Sequence, residues 1–410
     1  MRADTRRSFW LLAIDTVAFF LTLSLAGHDN VLPLFVAGLT SSAPLIGLVP
    51  TIALGLWVVP QVAMAGWVQQ QPSKWRVIAV TLAGRLPMAV VAVACFTPLA
   101  QRPQALLALF MAMFALYMTS DGLIVIALAD MLPRLLPERE RVRLFSLTQI
   151  ITGILGLAVG GLVSWVLANP AWPFPRDFGL LLALACVGLL ISGIALLLLP
   201  RDGPAVGAAA HRQSAAWGRA WRDHRFRRMV LSQALTSCVW LAVPFYGVHA
   251  TRGLGLSPTI AGLFVVVSSL AYIAASLVLG IVAHRRGLQW VIRLGCAVVV
   301  TSPLLALLAE LTGLQSAPLY ALVYVGIGVF NSIRMLGFRN YVFALAPAEL
   351  RPTYVGLANG IVGLTALAPV LGGAMLQMLG YVPLYVVTAL VTATGLALAL
   401  RLPRVGEAAS

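Results

Sequence analysis

Eight ionisable side chains interrupt stretches of sequence that are otherwise apolar: Asp15, Asp29, Arg85, Asp121, Asp130, Arg293, Arg334 and Arg339. A charge in hydrocarbon costs roughly 2.5–3.5 kcal/mol on insertion scales, so each of these needs a partner, water or a function. The chemistry open to them is limited. A carboxylate can take up a proton when its surroundings dry out and release it when they open to water or to a cation. A guanidinium can neutralise such an acid or hold an anionic group. Asp15, Thr22 and Asp29 follow one another at steps of seven, which drift only about 20° each on a helix and predict one shared face. Arg85, in Gly84-Arg85-Leu86-Pro87, and Asp121 both fall about 15 Å from the nearer end of their apolar runs. Tyr117 precedes Asp121 by one turn, His28 adjoins Asp29, and Asn331 shares a helix face with Arg334.

From these we expect Asp29, Asp121 and Arg334 to carry solute or proton chemistry. Asp15 and Arg85 divide between function and structural pairing, and His28 and Tyr117 stand as helpers. Trp240 falls near mid-run, where packing is the default. Asp130, Arg293 and Arg339 are expected to snorkel or make inner-face contacts. His249 and Glu310 fall at run ends and are expected to be solvated.

The elements that must position these groups follow from composition. The 410 residues are 60% hydrophobic and 10% charged, with mean hydropathy +0.94. A soluble globular protein is about 45–50% apolar and about 25% charged, so a water-soluble enzyme and a disordered chain are both excluded. Twelve apolar runs are long enough to cross a bilayer: 8–36, 44–67, 75–99, 104–132, 144–168, 178–199, 229–250, 258–283, 288–311, 318–346, 354–379 and 382–400. Arg2, Arg6 and Arg7 before Phe9–Ala26 resemble a signal peptide. That run exceeds an h-region of about 7–15 residues, so an uncleaved first helix is predicted.

Short-loop cations give the orientation. With the N-terminus inside, 21 of the 28 Lys and Arg lie on the cytoplasmic side and three (Arg102, Arg176, Arg252) on the other. Both termini are therefore expected in the cytoplasm, with the chain in the plasma membrane. Trp10, Trp67, Trp75 and Trp290 at inner ends, and Trp165 and Trp172 at an outer one, suit interface anchors. The pI of 10.8 then reflects topology and an anionic inner leaflet rather than nucleic acid. Cys95, Cys186, Cys238 and Cys296 are far apart in apolar runs and read as small buried hydrophobes. No G-x-x-x-x-G-K-[ST], H-E-x-x-H or Cys/His cluster occurs, so neither an ATP-driven pump nor a metal site is implied. No cofactor is expected, the proton gradient being the suspected energy source.

The chain reads as two halves: a bundle over 1–199, a linker over 200–228 and a bundle over 229–410. Trp217, Trp221 and Arg225 at steps of four predict a short surface helix in the linker. Pro137 with Arg141 and Pro347 with Arg351 recur 210 residues apart. The glycines Gly156, Gly160 and Gly161 answer Ala368, Gly372 and Gly373, and small residues four apart let helices approach closely. Ala65–Lys74 and Gly280–Gly287 occupy matching loops. Parallel six-helix repeats with a site near the midplane define one transporter architecture.

In these features the chain resembles the major facilitator superfamily over nearly its whole length. Gly280, Ala283, Arg285 and Gly287 match that family's loop signature, with His284 where its acid stands. In the first copy Gln69 and Gln70 replace Asp and Arg, and Pro72 replaces Gly. The resemblance implies that spans one, four, seven and ten line a central cavity. It also implies that the missing acid removes a cytoplasmic latch. The Gly156–Gly161 run is similar to the fifth-helix motif of drug antiporters but lacks its Pro.

The expectation is an all-α integral membrane protein of twelve helices in two six-helix bundles. It would work as a monomer by alternating access, as a proton-coupled antiporter for efflux of a small amphipathic compound. Uptake of an organic anion at Arg334 and Arg85 is the alternative, followed by lipid flipping and by a membrane-embedded enzyme acting on lipid.

Overall fold

The computed structural model describes residues 3–201, 214–347 and 350–404. Among them are twelve helices long and apolar enough to cross a membrane, and no strand. The first six are α1 (Thr5–Leu25), α2 (Ala43–Gln61), α3 (Lys74–Ala94), α4 (Pro103–Leu135), α5 (Glu138–Ala168) and α6 (Arg176–Leu197). The second six are α7 (His224–Gly253), α8 (Ile260–Arg286), α9 (Leu288–Thr312), α10 (Ala317–Leu345), α11 (Thr353–Leu379) and α12 (Tyr381–Leu400). Helices are forced here because a backbone in hydrocarbon must satisfy its own polar groups. Side-chain hydroxyls do the same: Thr16 donates to the Leu12 carbonyl at 2.8 Å and Thr388 to that of Leu384 at 2.7 Å.

Contacts divide the chain into two compact units, 1–41 with 48–209 and 42–47 with 210–410. Each uses the same internal pairings. In the first, α1 packs on α5 and α6, and α3 on α4 and α6; in the second, α7 packs on α11 and α12, and α9 on α10 and α12. One close approach is repeated in detail. A Cβ on Gly188 of α6 would collide with Thr22 Oγ1 of α1, and one on Gly395 of α12 would lie 2.7 Å from Thr236 Oγ1 of α7. Thr22 also donates across that contact to the Ala185 carbonyl at 3.0 Å.

Three sequence expectations change. The first apolar run is not one helix: α1 stops at Leu25, and a separate helix covers Val31–Leu39. The Asn30 side chain caps that second helix by accepting from Val31 N, and Leu32 N donates to the Gly27 carbonyl at 2.9 Å. A Cβ at Gly27 would sit 2.5 Å from Asn30 Oδ1 and 2.6 Å from Asp29 Oδ1, so a larger residue there would displace both side chains. Asp15 and Thr22 therefore share a face of α1, whereas Asp29 and His28 lie in the turn beyond it.

The linker helix, Ser214–Arg222, ends before Arg225, because the Asp223 carboxylate accepts from Arg225 N at 2.9 Å and starts α7 there. The remaining linker positions 202–213, and Ala348-Glu349 of the second Pro–Arg motif, lie outside the described residues.

The third change concerns the two glycine runs, which pack differently. A Cβ on Gly372 would run into the Leu241 carbonyl and one on Gly373 into that of Ala43, both inside the second unit. Gly156 and Gly160 are buried, but Gly161 is exposed with open space before it. Gly280 is likewise unobstructed. Gly287 closes α8 at φ 88°, a conformation that side chains disfavour, and Arg285 beside it is exposed.

Candidate functional site

Pro87 removes a backbone donor from the middle of α3, and the helix tightens into a 3₁₀ turn over Leu82–Arg85. Gly84 in that turn lies directly against Ser120 of α4, where a Cβ would overlap the Ser120 side chain. The Ser120 hydroxyl donates to the Thr81 carbonyl, tying the two helices at that level. The next residue on each helix of this contact, Arg85 and Asp121, are thereby held together. Arg85 Nε is 3.0 Å and Nη2 2.9 Å from Asp121 Oδ1.

The guanidinium has further partners on α6. Its Nη1 donates to Ser192 Oγ at 2.8 Å and to the Leu189 carbonyl at 3.3 Å. Ser192 in turn donates its hydroxyl to Asp15 Oδ1 on α1 at 2.5 Å. Phe19, one turn along α1, presents its ring 5.6 Å from the guanidinium carbon. All four polar residues are buried: Asp15 is 7% exposed, Arg85 8%, Asp121 2% and Ser192 0%. Asp15 lies about 10 Å past residue 8, where the first apolar run begins, within a ~30 Å hydrocarbon layer.

The chain Asp15–Ser192–Arg85–Asp121 thus contains two acids and one base. With both carboxylates ionised it carries one uncompensated negative charge in a buried site, which is costly. One added proton makes it neutral. Asp121 has the direct ion pair, while Asp15 meets the guanidinium only through a hydroxyl. The Tyr117 hydroxyl, one turn from Asp121, is buried without a hydrogen-bond partner among the described residues. It lines a small cavity with Thr22, Met88, Phe114 and Leu189.

Of the residues singled out in the sequence, the fold brings Asp15, Arg85 and Asp121 together, with Tyr117 alongside. It leaves Asp29 and His28 in the turn after α1. Asn331, Arg334 and Trp240 belong to the second unit. Trp240 is buried in a 3₁₀ turn of α7 over Cys238–Leu241. Asn331 is half-buried on α10, and Arg334 opens a π-helical turn over Arg334–Arg339 with its side chain exposed. No carboxylate pairs with Arg334 among the described residues.

The other charges are accounted for at helix ends. Asp130 pairs with Arg134 at 2.9 Å and stands 3.9 Å from the buried Lys74. Arg293 donates to the Leu402 carbonyl at 2.8 Å. Arg339 lies over the Phe343 ring. His249 is not solvated as expected: it is fully buried, with Glu310 and Tyr320 on its two ring nitrogens. No group of three or more metal-ligand side chains occurs among the described residues.

Sequence reasoning missed Ser192, which completes the cluster. The available signal was the pair Gly188 and Ser192 at i and i+4, a small-residue stripe facing Thr22 and Asp15.

Solved structures share this architecture. A D-xylose–proton symporter superposes with a TM-score of 0.74 at 14% identity, covering 100% of both chains. A mutant of the nucleoside transporter NupG gives 0.72 at 15% identity, covering 96% of this chain and 99% of its own. A bacterial homologue of the iron transporter ferroportin, inward-facing, gives 0.72 at 12%, covering 97% and 98%. No curated protein sequence matches the chain. The profile of the Major Facilitator Superfamily matches residues 14–364 and 229–410, together most of its length. With twelve membrane-length helices and that match, the chain belongs to the major facilitator superfamily and is an integral membrane transporter, not an enzyme.

Proposed function

We propose that this transporter moves a small organic solute by alternating access and that the buried cluster of the first unit couples the movement to a proton. One observation carries this reading: two buried carboxylates share one guanidinium, so the cluster is neutral only with a proton bound. Asp15 is the proton carrier in this scheme. It receives the Ser192 hydroxyl and has no direct cation, and a cavity state that wets α1 would release its proton. The proposal moves the coupling acid from Asp29, favoured in sequence, to Asp15, and keeps Asp121 as the fixed partner of Arg85. Export of an amphipathic compound is the direction we carry forward. The chain is taken to act as a monomer in the plasma membrane, both termini inside, against an anionic inner leaflet.

A second reading rests on Arg334. An exposed guanidinium on a membrane helix, without a carboxylate partner, suits a solute bearing an anionic group.

The test is a flux assay in proteoliposomes loaded with a pH-sensitive dye. A sugar, a nucleoside, an amphipathic amine and an organic anion are added in turn, with fluorescent phospholipid as a separate arm. Proton movement that accompanies one solute and disappears in Asp15→Asn, while solute exchange persists, is the expected result. Solute-linked proton movement that survives in both Asp15→Asn and Asp121→Asn overturns the coupling site. Scrambling of the phospholipid without solute flux overturns solute transport in favour of lipid flipping.

A further inference from the structure

The second unit contains a buried acid–base pair that the proposed coupling scheme does not use. His249, at the end of α7, is 0% exposed. Its Nε2 lies 2.7 Å from Glu310 Oε2 near the end of α9, and its Nδ1 lies 2.9 Å from the Tyr320 hydroxyl near the start of α10. These helix ends meet opposite the end of the unit that bears Arg285 and Arg286. Glu310 retains 30% exposure of its side chain, so the pair is open to the surface of the unit at that helix end. The other titratable or charged groups nearby are Tyr381 and Tyr385 from α12, with ring centroids at 4.5 and 5.4 Å, Tyr246 from α7 against Tyr385, and Arg252, which acts on Tyr381. Helix α8 contributes the apolar Phe264, against Tyr320.

A hydrogen count decides what the geometry holds. Take first the arrangement in which the Tyr320 hydroxyl donates its single hydrogen to the Tyr246 carbonyl, 3.0 Å away. It can then only accept from His249, so Nδ1 carries a hydrogen. If the imidazole were neutral, Nε2 would be a lone pair facing a carboxylate at 2.7 Å, two acceptors in contact. In that arrangement a further proton lies between Nε2 and Oε2.

Losing that proton has a structural consequence. The one remaining ring hydrogen moves to Nε2, where it bonds Glu310, and Nδ1 becomes an acceptor. The Tyr320 hydroxyl must then turn to donate to Nδ1, and the Tyr246 carbonyl on α7 loses its donor from α10. His249 is also the first residue of a π-helical turn over His249–Gly253, where the helix is already irregular.

We infer that His249 and Glu310 form a second proton-binding site, and that Tyr320 converts its occupancy into the presence or absence of a hydrogen bond between α7 and α10. The site is separate from Asp15, so each can fail without the other.

The full chain, labelled with ¹⁵N-histidine and held in lipid nanodiscs, provides the test. The His249 signals are assigned by their absence in His249→Gln. Both ring nitrogens should be protonated at the acid end of a titration from about pH 5 to about pH 9, and only Nε2 at its basic end. Tyr320→Phe removes the acceptor of the charged ring's Nδ1–H, so the midpoint should fall by about one pH unit. Should Tyr320→Phe fail to fold, Glu310→Gln replaces it, with the same direction expected. A wild-type ring whose protonation does not change from about pH 5 to about pH 9, or a midpoint unmoved by the variant, overturns the inference.

Discussion

Arg85 and Asp121 meet through a single carboxylate oxygen, with Nε at 3.0 Å and Nη2 at 2.9 Å from Oδ1. That grip makes Asp121 the fixed counter-ion and leaves Asp15 the acid held only by a hydroxyl. The two acids should therefore respond differently to neutralisation.

Asp15→Asn keeps the acceptor oxygen for Ser192 and relieves the excess charge. Its thermal stability should stay within about 1 kcal/mol of wild type. In the flux assay it should exchange solute without proton movement. Arg85→Gln strands Asp121 in the interior and should cost about 3–5 kcal/mol. Arg85→Gln paired with Asp121→Asn should recover most of that loss. Thermal unfolding in detergent, followed by tryptophan fluorescence, reads all three variants. Equal destabilisation by Asp15→Asn and Arg85→Gln would show that the roles assigned here are wrong.

The cluster depends on how closely α3 and α4 approach at Gly84. Gly84→Val adds atoms into Ser120 and the Thr81 contact, so it should separate Arg85 from Asp121. We expect proton-linked flux to fall at least tenfold with membrane insertion intact. The measurement is initial rate per inserted protein, and a wild-type rate contradicts the packing account.

The two glycine runs that look equivalent in sequence give opposite expectations. Gly372→Leu drives a side chain into the Leu241 backbone and should lower stability by about 1–3 kcal/mol or more, whereas Gly161→Leu enters open space and should be tolerated. Monodispersity on size exclusion after heating separates the two outcomes. Equal tolerance would mean that the α7–α11 contact is not held as described.

Orientation is tested by labelling. Gly218→Cys lies on the exposed linker helix and Ala171→Cys between α5 and α6. The asymmetry of loop cations predicts that an impermeant thiol reagent labels only Ala171→Cys in intact cells. Labelling of Gly218→Cys alone would invert the topology.

The sequence made the spans legible because hydrocarbon thickness sets a length that composition reveals directly. Rise per residue placed Arg85 and Asp121 at mid-depth, and the cost of charge drew attention to Asp15 beside them. The sequence could not say which of them touch. That depends on the 3₁₀ turn before Pro87 and on Ser192, an uncharged residue that hydropathy barely registers. Asp29 leaves the face of Asp15 and Thr22 because a local turn over Gly27 to Asn30 interrupts the seven-residue periodicity. The burial of His249 is not legible locally, because its partners Glu310 and Tyr320 lie more than 60 residues away in the chain.

The repeated threonine–glycine contact provides an internal control. Thr22 follows Asp15 by seven residues, and Thr236 follows Met229 by seven. Gly188 precedes Ser192 by four, and Gly395 precedes Ala399 by four. Met229 and Ala399, both fully buried, therefore occupy in the second unit the places that Asp15 and Ser192 occupy in the first. Arg293 donates to the Ala399 carbonyl at 3.4 Å, much as Arg85 donates to Ser192. The molecule thus holds two castings of one frame, and the uncharged casting packs with a methionine and an alanine. The architecture does not require an acid at that position: the same frame assembles with apolar side chains in its place.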